Sequence, residues 1–165
     1  MKRSTVNMLL ATTAILLTSL SSSAQAQGLD QAIGIRLGYN PGVTYQQYVA
    51  DDRVLELIAA SRYRGFSVTG LYEVHKSIEG VSGLGWFFGG GAHVGLYPFY
   101  ANHPLWHDAY SGSKAVVGLD GILGLEYFIP DAPFMVSVDW KPAFDFYGYA
   151  GFLGDNGALS LRYRF

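Results

Sequence analysis

The chain has 165 residues, half of them hydrophobic, with 21 glycines, 12 tyrosines, no cysteine and a formal net charge of −2. That length suits one domain, and the abundance of aromatics with so little net charge argues against disorder. Without cysteine there is no disulfide framework and no thiolate-based metal or redox site.

The first 26 residues have the three-part layout of a secretory signal peptide. Lys2 and Arg3 precede an apolar run from Met8 to Leu17, and a small-residue stretch ends at Ala24-Gln25-Ala26. Cleavage is expected after Ala26, which leaves residues 27–165 as the folded domain. An N-terminal membrane anchor is the competing reading, but the apolar run is short for a spanning helix. Without Lys2 and Arg3, nine basic residues face 13 acidic ones, a net −4 with histidine neutral. This is not the basic footprint of a nucleic-acid binder.

Beyond residue 26 no apolar run is long enough for a transmembrane helix, and period-two alternation recurs to the end of the chain. Strands are predicted near 31–39, 43–50, 53–60, 64–76, 84–98, 114–129, 133–146 and 157–165. The stretch QQYVADDRVLELIAAS also reads as a short helix. In FSVTGLYEVH, Phe66, Val68, Gly70, Tyr72 and Val74 oppose Ser67, Thr69, Leu71, Glu73 and His75. The next strand sets Leu84, Trp86, Phe88, Gly90, Ala92, Val94 and Leu96 against a face that is mostly glycine with His93. Further on, Val117, Leu119, Leu123, Leu125 and Tyr127 oppose Asp120, Gly124 and Glu126. Then Phe134, Val136, Val138, Trp140 and Phe144 oppose Ser137, Asp139, Lys141 and Asp145. The final strand sets Leu159, Leu161, Tyr163 and Phe165 against Ser160, Arg162 and Arg164. Turn chemistry separates these runs at Asn40-Pro41-Gly42, Asp51-Asp52, Pro130-Asp131-Ala132-Pro133 and Gly154-Asp155-Asn156-Gly157.

Such alternation fits a water-soluble sandwich or a lipocalin-like barrel with its polar face outward, and it fits equally a membrane barrel with its polar face inward. Four features favour the membrane barrel. Large aromatics sit near strand ends (Tyr39, Trp86, Tyr97, Tyr127, Trp140, Tyr163), as in interfacial girdles. The polar face combines glycine with charge, which suits a narrow interior. The later strands are long for a soluble protein. The links at 51–52 and 130–132 are compact, whereas 99–113 and 147–156 are long; the 77–83 link is a mild misfit. Lipid offers no partner to an unpaired strand edge, so closure is required. The expected fold is therefore an all-β, eight-stranded, antiparallel, up-and-down transmembrane barrel, closed by pairing the last strand with the first.

The terminal strand GALSLRYRF, with Tyr163 and a final Phe165, resembles the assembly signal of Gram-negative outer-membrane barrels. In size and strand count the chain is similar to the small eight-stranded class that includes OmpX and the OmpA membrane domain. The stretch from Gly118 to Lys141 also resembles uncharacterised small outer-membrane proteins. The resemblance implies export to the outer membrane of a Gram-negative bacterium and recognition of the last strand by the barrel-assembly machinery. It also implies a wall set in outer-membrane lipid and lipopolysaccharide.

Inward-facing Arg36, Glu56, Glu73, His93, Asp120, Glu126, Asp139, Lys141, Arg162 and Arg164 are expected to pair as a structural plug, because an unpaired buried charge costs several kcal/mol, on the order of that estimated for real proteins. A narrow ion path or a buried catalytic pair is the sharper alternative. His93 has no serine beside it in sequence, unlike the nucleophile and base of a lipid-cleaving barrel enzyme. In HPLWHDAYSGS, His103 and His107 are four apart beside Asp108 and Ser111, but Pro104 disfavours a helical metal pair. FFGGGAH lacks the following helix and Lys-Ser/Thr of a phosphate loop. The expected role is non-enzymatic, structural or surface-interacting through the outer loops, and no cofactor is implied. A lipid- or lipopolysaccharide-directed enzyme and a narrow pore are the alternatives.

Overall fold

The computed structural model describes residues 31–62, 65–98, 113–148, 151–154 and 156–165. The expected signal peptide, and the loop carrying His103, His107, Asp108 and Ser111, lie outside the described residues.

Among the described residues ten strands occur in chain order: β1 (Gln31–Gly38), β2 (Gly42–Ala50), β3 (Arg53–Arg62), β4 (Gly65–Ser77), β5 (Leu84–Pro98), β6 (Ser113–Phe128), β7 (Phe134–Trp140), β8 (Ala143–Tyr147), β9 (Gly151–Leu153) and β10 (Gly157–Arg164). Every pairing is antiparallel. Neighbours in sequence pair from β1 through β6; β7 and β8 both pair with β6, and β10 joins β7 to β1. β7 with β8 forms one stave, and β9 with β10 another, so the barrel has eight staves and is closed.

Closure rests on seven residue pairs between β1 and β10, from Ala32↔Arg164 to Gly38↔Ala158. The last residue is tied in as well. Gln31 N donates to Phe165 O at 3.1 Å, and Phe165 N donates to Gln31 O at 2.9 Å. GALSLRYRF is thus a closing strand.

The ambiguous segment after Gly42 is a hairpin. Two alternating runs meet at the Asp51-Asp52 turn, with a register shift between Tyr48 and Ala50. Extended pairing puts Val54, Glu56 and Ile58 on the buried face while Leu55 and Leu57 face out. A single helix would scatter the same residues around its circumference.

Two expected boundaries are corrected. The run 133–146 is broken at Lys141-Pro142, because proline has no N–H to give the ladder. Lys141 N turns to Asn156 O at 2.8 Å, and Gly121 N bonds Pro142 O at 2.9 Å, which restores pairing beyond the break. The expected outer loop 147–156 is partly paired: β9 runs beside β8 with Phe144↔Phe152 in register, and Gly148 (φ 85°) sits where the chain leaves β8.

Gln31 and Phe165 share one end of the barrel with the links 51–52, 78–83 and 129–133. The β1–β2 turn at 39–41 lies at the opposite end. The 78–83 link is strapped down, with Ile78 N bonded to Leu84 O at 2.9 Å and Phe128 N to Gly83 O at 2.7 Å.

The usual distribution of polarity is reversed. Among the described residues, 30 large hydrophobic side chains are exposed, whereas 17 polar or charged residues are buried against 11 hydrophobic ones. Aromatics flank the apolar wall at both ends. Phe134, Tyr163 and Phe165 gather at the terminal end, with Phe134 and Tyr163 ring centroids 5.6 Å apart. Tyr39, Phe66, Phe144 and Phe152 stand toward the other end. Tyr97 departs from the expected girdle: it shares the inward parity of His93, and its ring lies across Gly65 and Gly95.

The interior also holds an apolar filler of Ile58, Ala60, Leu71, Phe87 and Ile122. Phe87 is on the face expected to be mostly glycine. Its ring fits because Gly124 opposite has no side chain, and a Cβ there would stand 2.4 Å from the ring. Gly124→Val is expected to destabilise the barrel by about 1–3 kcal/mol through overpacking. Gly70→Val, on the outer face with nothing within 4 Å of its Cβ, is expected to be near neutral. Urea midpoints of the two variants folded in detergent micelles check the contrast.

Candidate functional site: the charged barrel interior

Every second residue of each stave points inward, so partners far apart in sequence meet across the interior. Arg36 on β1 grips Asp139 on β7 through a two-bond fork, with Nη1 donating to Oδ2 at 2.5 Å and Nη2 donating to Oδ1. Arg162 on β10 is fully buried. Its Nη2 donates to Glu56 Oε1 at 2.5 Å and its Nη1 to Ser137 Oγ at 2.6 Å. Thr44 also donates to Glu56 Oε1. The fork geometry suits a guanidinium, which presents fixed donors to carboxylate oxygens.

Two histidine clusters complete the interior. His75 lies between two carboxylates, its Nδ1 2.8 Å from Glu126 Oε1 and its Nε2 3.0 Å from Glu73 Oε2. Its ring stacks on Phe87 with centroids 5.0 Å apart. Farther from the termini, His93 Nδ1 lies 2.6 Å from Asp120 Oδ2, and Lys141 Nζ donates to Asp120 Oδ1. His93 Nε2 is 3.0 Å from Asp145 Oδ1, close in distance but outside hydrogen-bond geometry. Gly118 makes this cluster possible: a Cβ there would stand 2.5 Å from the His93 ring and 2.7 Å from Asp145.

The structure brings together nine of the ten expected interior residues: Arg36, Glu56, Glu73, His93, Asp120, Glu126, Asp139, Lys141 and Arg162 are all buried. The tenth, Arg164, is half-buried at the terminal mouth, its guanidinium 4.9 Å from the Phe128 ring centroid and 5.5 Å from that of Tyr48. Tyr163 and Phe165 face outward, as the closing-strand reading requires. The expected network omits His75 and Asp145, whose inward parity is the signal that places them. It also omits Thr44 and Ser137, whose hydroxyls carry no sequence mark distinguishing a network member from any strand residue. Both ring nitrogens of His75 and the Nδ1 of His93 are hydrogen-bonded to carboxylates, and Ser137 is engaged by Arg162.

The interior is unequal along its length. A cup of about 820 Å3 opens at the terminal end, floored by His75 and Glu126. A separate space of about 20 Å3 lies between Arg36 and Lys141. It has room for about one water molecule.

A closed eight-stave antiparallel barrel with charges inside and apolar side chains outside defines the fold class: an OmpA-like small barrel. Among solved structures the chain is similar to the N-terminal β-barrel domain of Pseudomonas aeruginosa OprF, with a TM-score of 0.64 and 14% sequence identity, over 86% of this chain and 100% of that one. No family model matches the sequence, and no curated protein matches it significantly. The likeness is one of fold.

Removing one member of a buried ion pair strands the other. Arg162→Met is therefore expected to cost about 3–5 kcal/mol by leaving Glu56 unpaired. The double variant Arg162→Met/Glu56→Leu should recover much of that loss. Equilibrium unfolding of the single and double variants in micelles tests this coupling.

Proposed function

We propose that the chain is an outer-membrane β-barrel of a Gram-negative bacterium, with a structural, non-enzymatic role and a surface-interacting outer end. In this reading residues 1–26 direct export and are removed. The barrel-assembly machinery then recognises the strand ending at Phe165. The apolar outer wall meets lipid and lipopolysaccharide, because hydrocarbon is the medium in which so many exposed large side chains are stable.

The observation that carries the reading is the buried side-chain network around Arg162. Arg162 spans from β10 to Glu56 on β3 and Ser137 on β7, and it has no exposed surface. A side-chain plug of this kind leaves no continuous aqueous path, consistent with the width of an eight-strand barrel. The surface role is supported by the β8–β9 hairpin at the end away from the termini. Phe144, Phe146, Tyr147 and Phe152 are exposed there, and among the described strands β9 pairs with β8 alone.

Planar-bilayer recordings of the purified barrel are expected to show no steady, ion-selective conductance; such a conductance would overturn the plugged reading. Deletion of Phe165 is expected to lower the amount of heat-modifiable barrel in the outer membrane. An unchanged amount by gel mobility before and after boiling refutes the role assigned to that residue.

A further inference from the structure

The Arg162 network continues toward the terminal end as a row of acids. Glu56 on β3 and Glu73 on β4 are diagonal neighbours on the inward face, since Leu71 stands opposite Glu56 and Val54 opposite Glu73. Both are buried, at 2% and 0% exposure. Each carboxyl has one oxygen taken. Arg162 and Thr44 donate to Glu56 Oε1, and His75 Nε2 bonds Glu73 Oε2 at 3.0 Å. The other two, Glu56 Oε2 and Glu73 Oε1, are buried and have no donor among the described residues. The two carboxyls are nevertheless within hydrogen-bond reach of each other. An ionised carboxylate accepts only, so this contact is repulsive unless a proton lies in it.

The surrounding staves leave that proton as the missing donor. On β2, Gln46 stands opposite Glu56, but neither its amide nor the Tyr48 hydroxyl is hydrogen-bonded to the pair. On β7, Ser137 accepts from Arg162, and Asp139 is held by Arg36 of β1. From β5 comes Gly89, whose lack of a side chain makes room for Glu73: a Cβ there would stand 3.0 Å from Glu73 Cγ. From β6 comes Glu126, bonded to His75 at Nδ1. Charge gives the same answer. A ring bonded at both nitrogens to ionised carboxylates donates from both, so His75 counts as a cation. The three carboxyls of Glu56, Glu73 and Glu126 then face two cations, Arg162 and His75. Arg164 stands apart at the mouth, over the Phe128 and Tyr48 rings. One proton between Glu56 and Glu73 balances the row and avoids an uncompensated buried charge.

We propose that Glu56 and Glu73 are a proton-holding acid pair, with one proton shared between Glu56 Oε2 and Glu73 Oε1 and exchanged with water in the cup through His75. His75 is the link because its ring bonds Glu73 and also lines the cup. Binding adds one proton to the row and moves no electron; release leaves two carboxylates side by side. The row ends at Arg162, a guanidinium that donates only and keeps its protons. The pair is therefore a store for one proton at the terminal end, not a path across the barrel. It requires the closed barrel alone and is independent of the surface role proposed above.

The test is infrared spectroscopy of the full chain folded in detergent micelles at neutral pH. A protonated carboxyl has a carbonyl stretch that ionised carboxylates lack. Such a band is expected from the parent, shifted by a heavy-carbon label in the glutamate carboxyls and shifted again when the folded barrel is moved into heavy water. Glu73→Gln and Glu56→Gln should each abolish it. Glu73→Gln also supplies an N–H donor where the shared proton was, so it should keep the heat-modifiable mobility of the parent. Glu79→Gln, at an exposed acid on the 78–83 link, should leave the band in place. Should neither interior variant fold, the glutamate label in the parent carries the test. No band at neutral pH, a band unmoved by the label, or a band retained in folded Glu73→Gln or Glu56→Gln overturns the proposal. A band unmoved by heavy water overturns the exchange through His75.

Discussion

The β1–β10 ladder is the constraint on which the rest of the molecule depends. Before it forms, the chain is a meander with two open edges; once it forms, every stave has neighbours on both sides. In hydrocarbon each unpaired backbone group costs several kcal/mol, so a barrel with an unclosed seam is not a stable solution. The seam is short, only seven residue pairs, and it extends to Phe165 through the paired hydrogen bonds with Gln31. Closure also creates the interior. It turns the polar faces of eight staves toward one another in a space just wide enough for side chains.

That confinement explains the composition of the inward face. Charges there must find partners, and the partners lie on staves remote in sequence: Arg36 with Asp139, Arg162 with Glu56, His75 with Glu126. Buried ion pairs are weak evidence for net stability, since desolvation offsets much of the attraction. Their consequence here is positional. A one-residue slip of β10 would carry Arg162 to the outer face and Leu161 or Tyr163 into the interior, so the pairs oppose any register but the observed one. Glycine provides the complementary volume. Gly118 lies beneath the His93 cluster and Gly124 beneath Phe87, and in each case an added Cβ would collide with the ring.

The two ends differ because the staves differ in length. The β1–β2 hairpin turns at 39–41, while β5 and β6 pair over 15 residues and β8–β9 continues the wall beside β6. The taller side bears exposed aromatics and β9, which among the described strands pairs with β8 alone. At the terminal end the 78–83 link stands over a polar cup. The Arg162 network lies between the two ends.

Much of this architecture is written in the sequence. Alternation assigns nearly every side chain to its face, and seven of the eight predicted strand positions need only small adjustment, because a period of two has no other regular solution over such lengths. The inward set was legible for the same reason: parity puts nine buried residues and the half-buried Arg164 on one face, and closure turns that face inward. Parity does not say which inward residues touch. That is set by the stagger between staves, which follows from closure and tilt and has no local signature. The pairing of β9 with β8 traces to that limit. His75, Asp145 and Tyr97 carry inward parity, and Pro142 marks the break in its strand, so those signals are local. The sequence by itself determined the faces, the number of staves and the closing role of GALSLRYRF. Only the tertiary structure decided the ion-pair partners, the burial of Arg162 and the cup beside Glu126, because those arise from distances across the barrel that no single strand encodes.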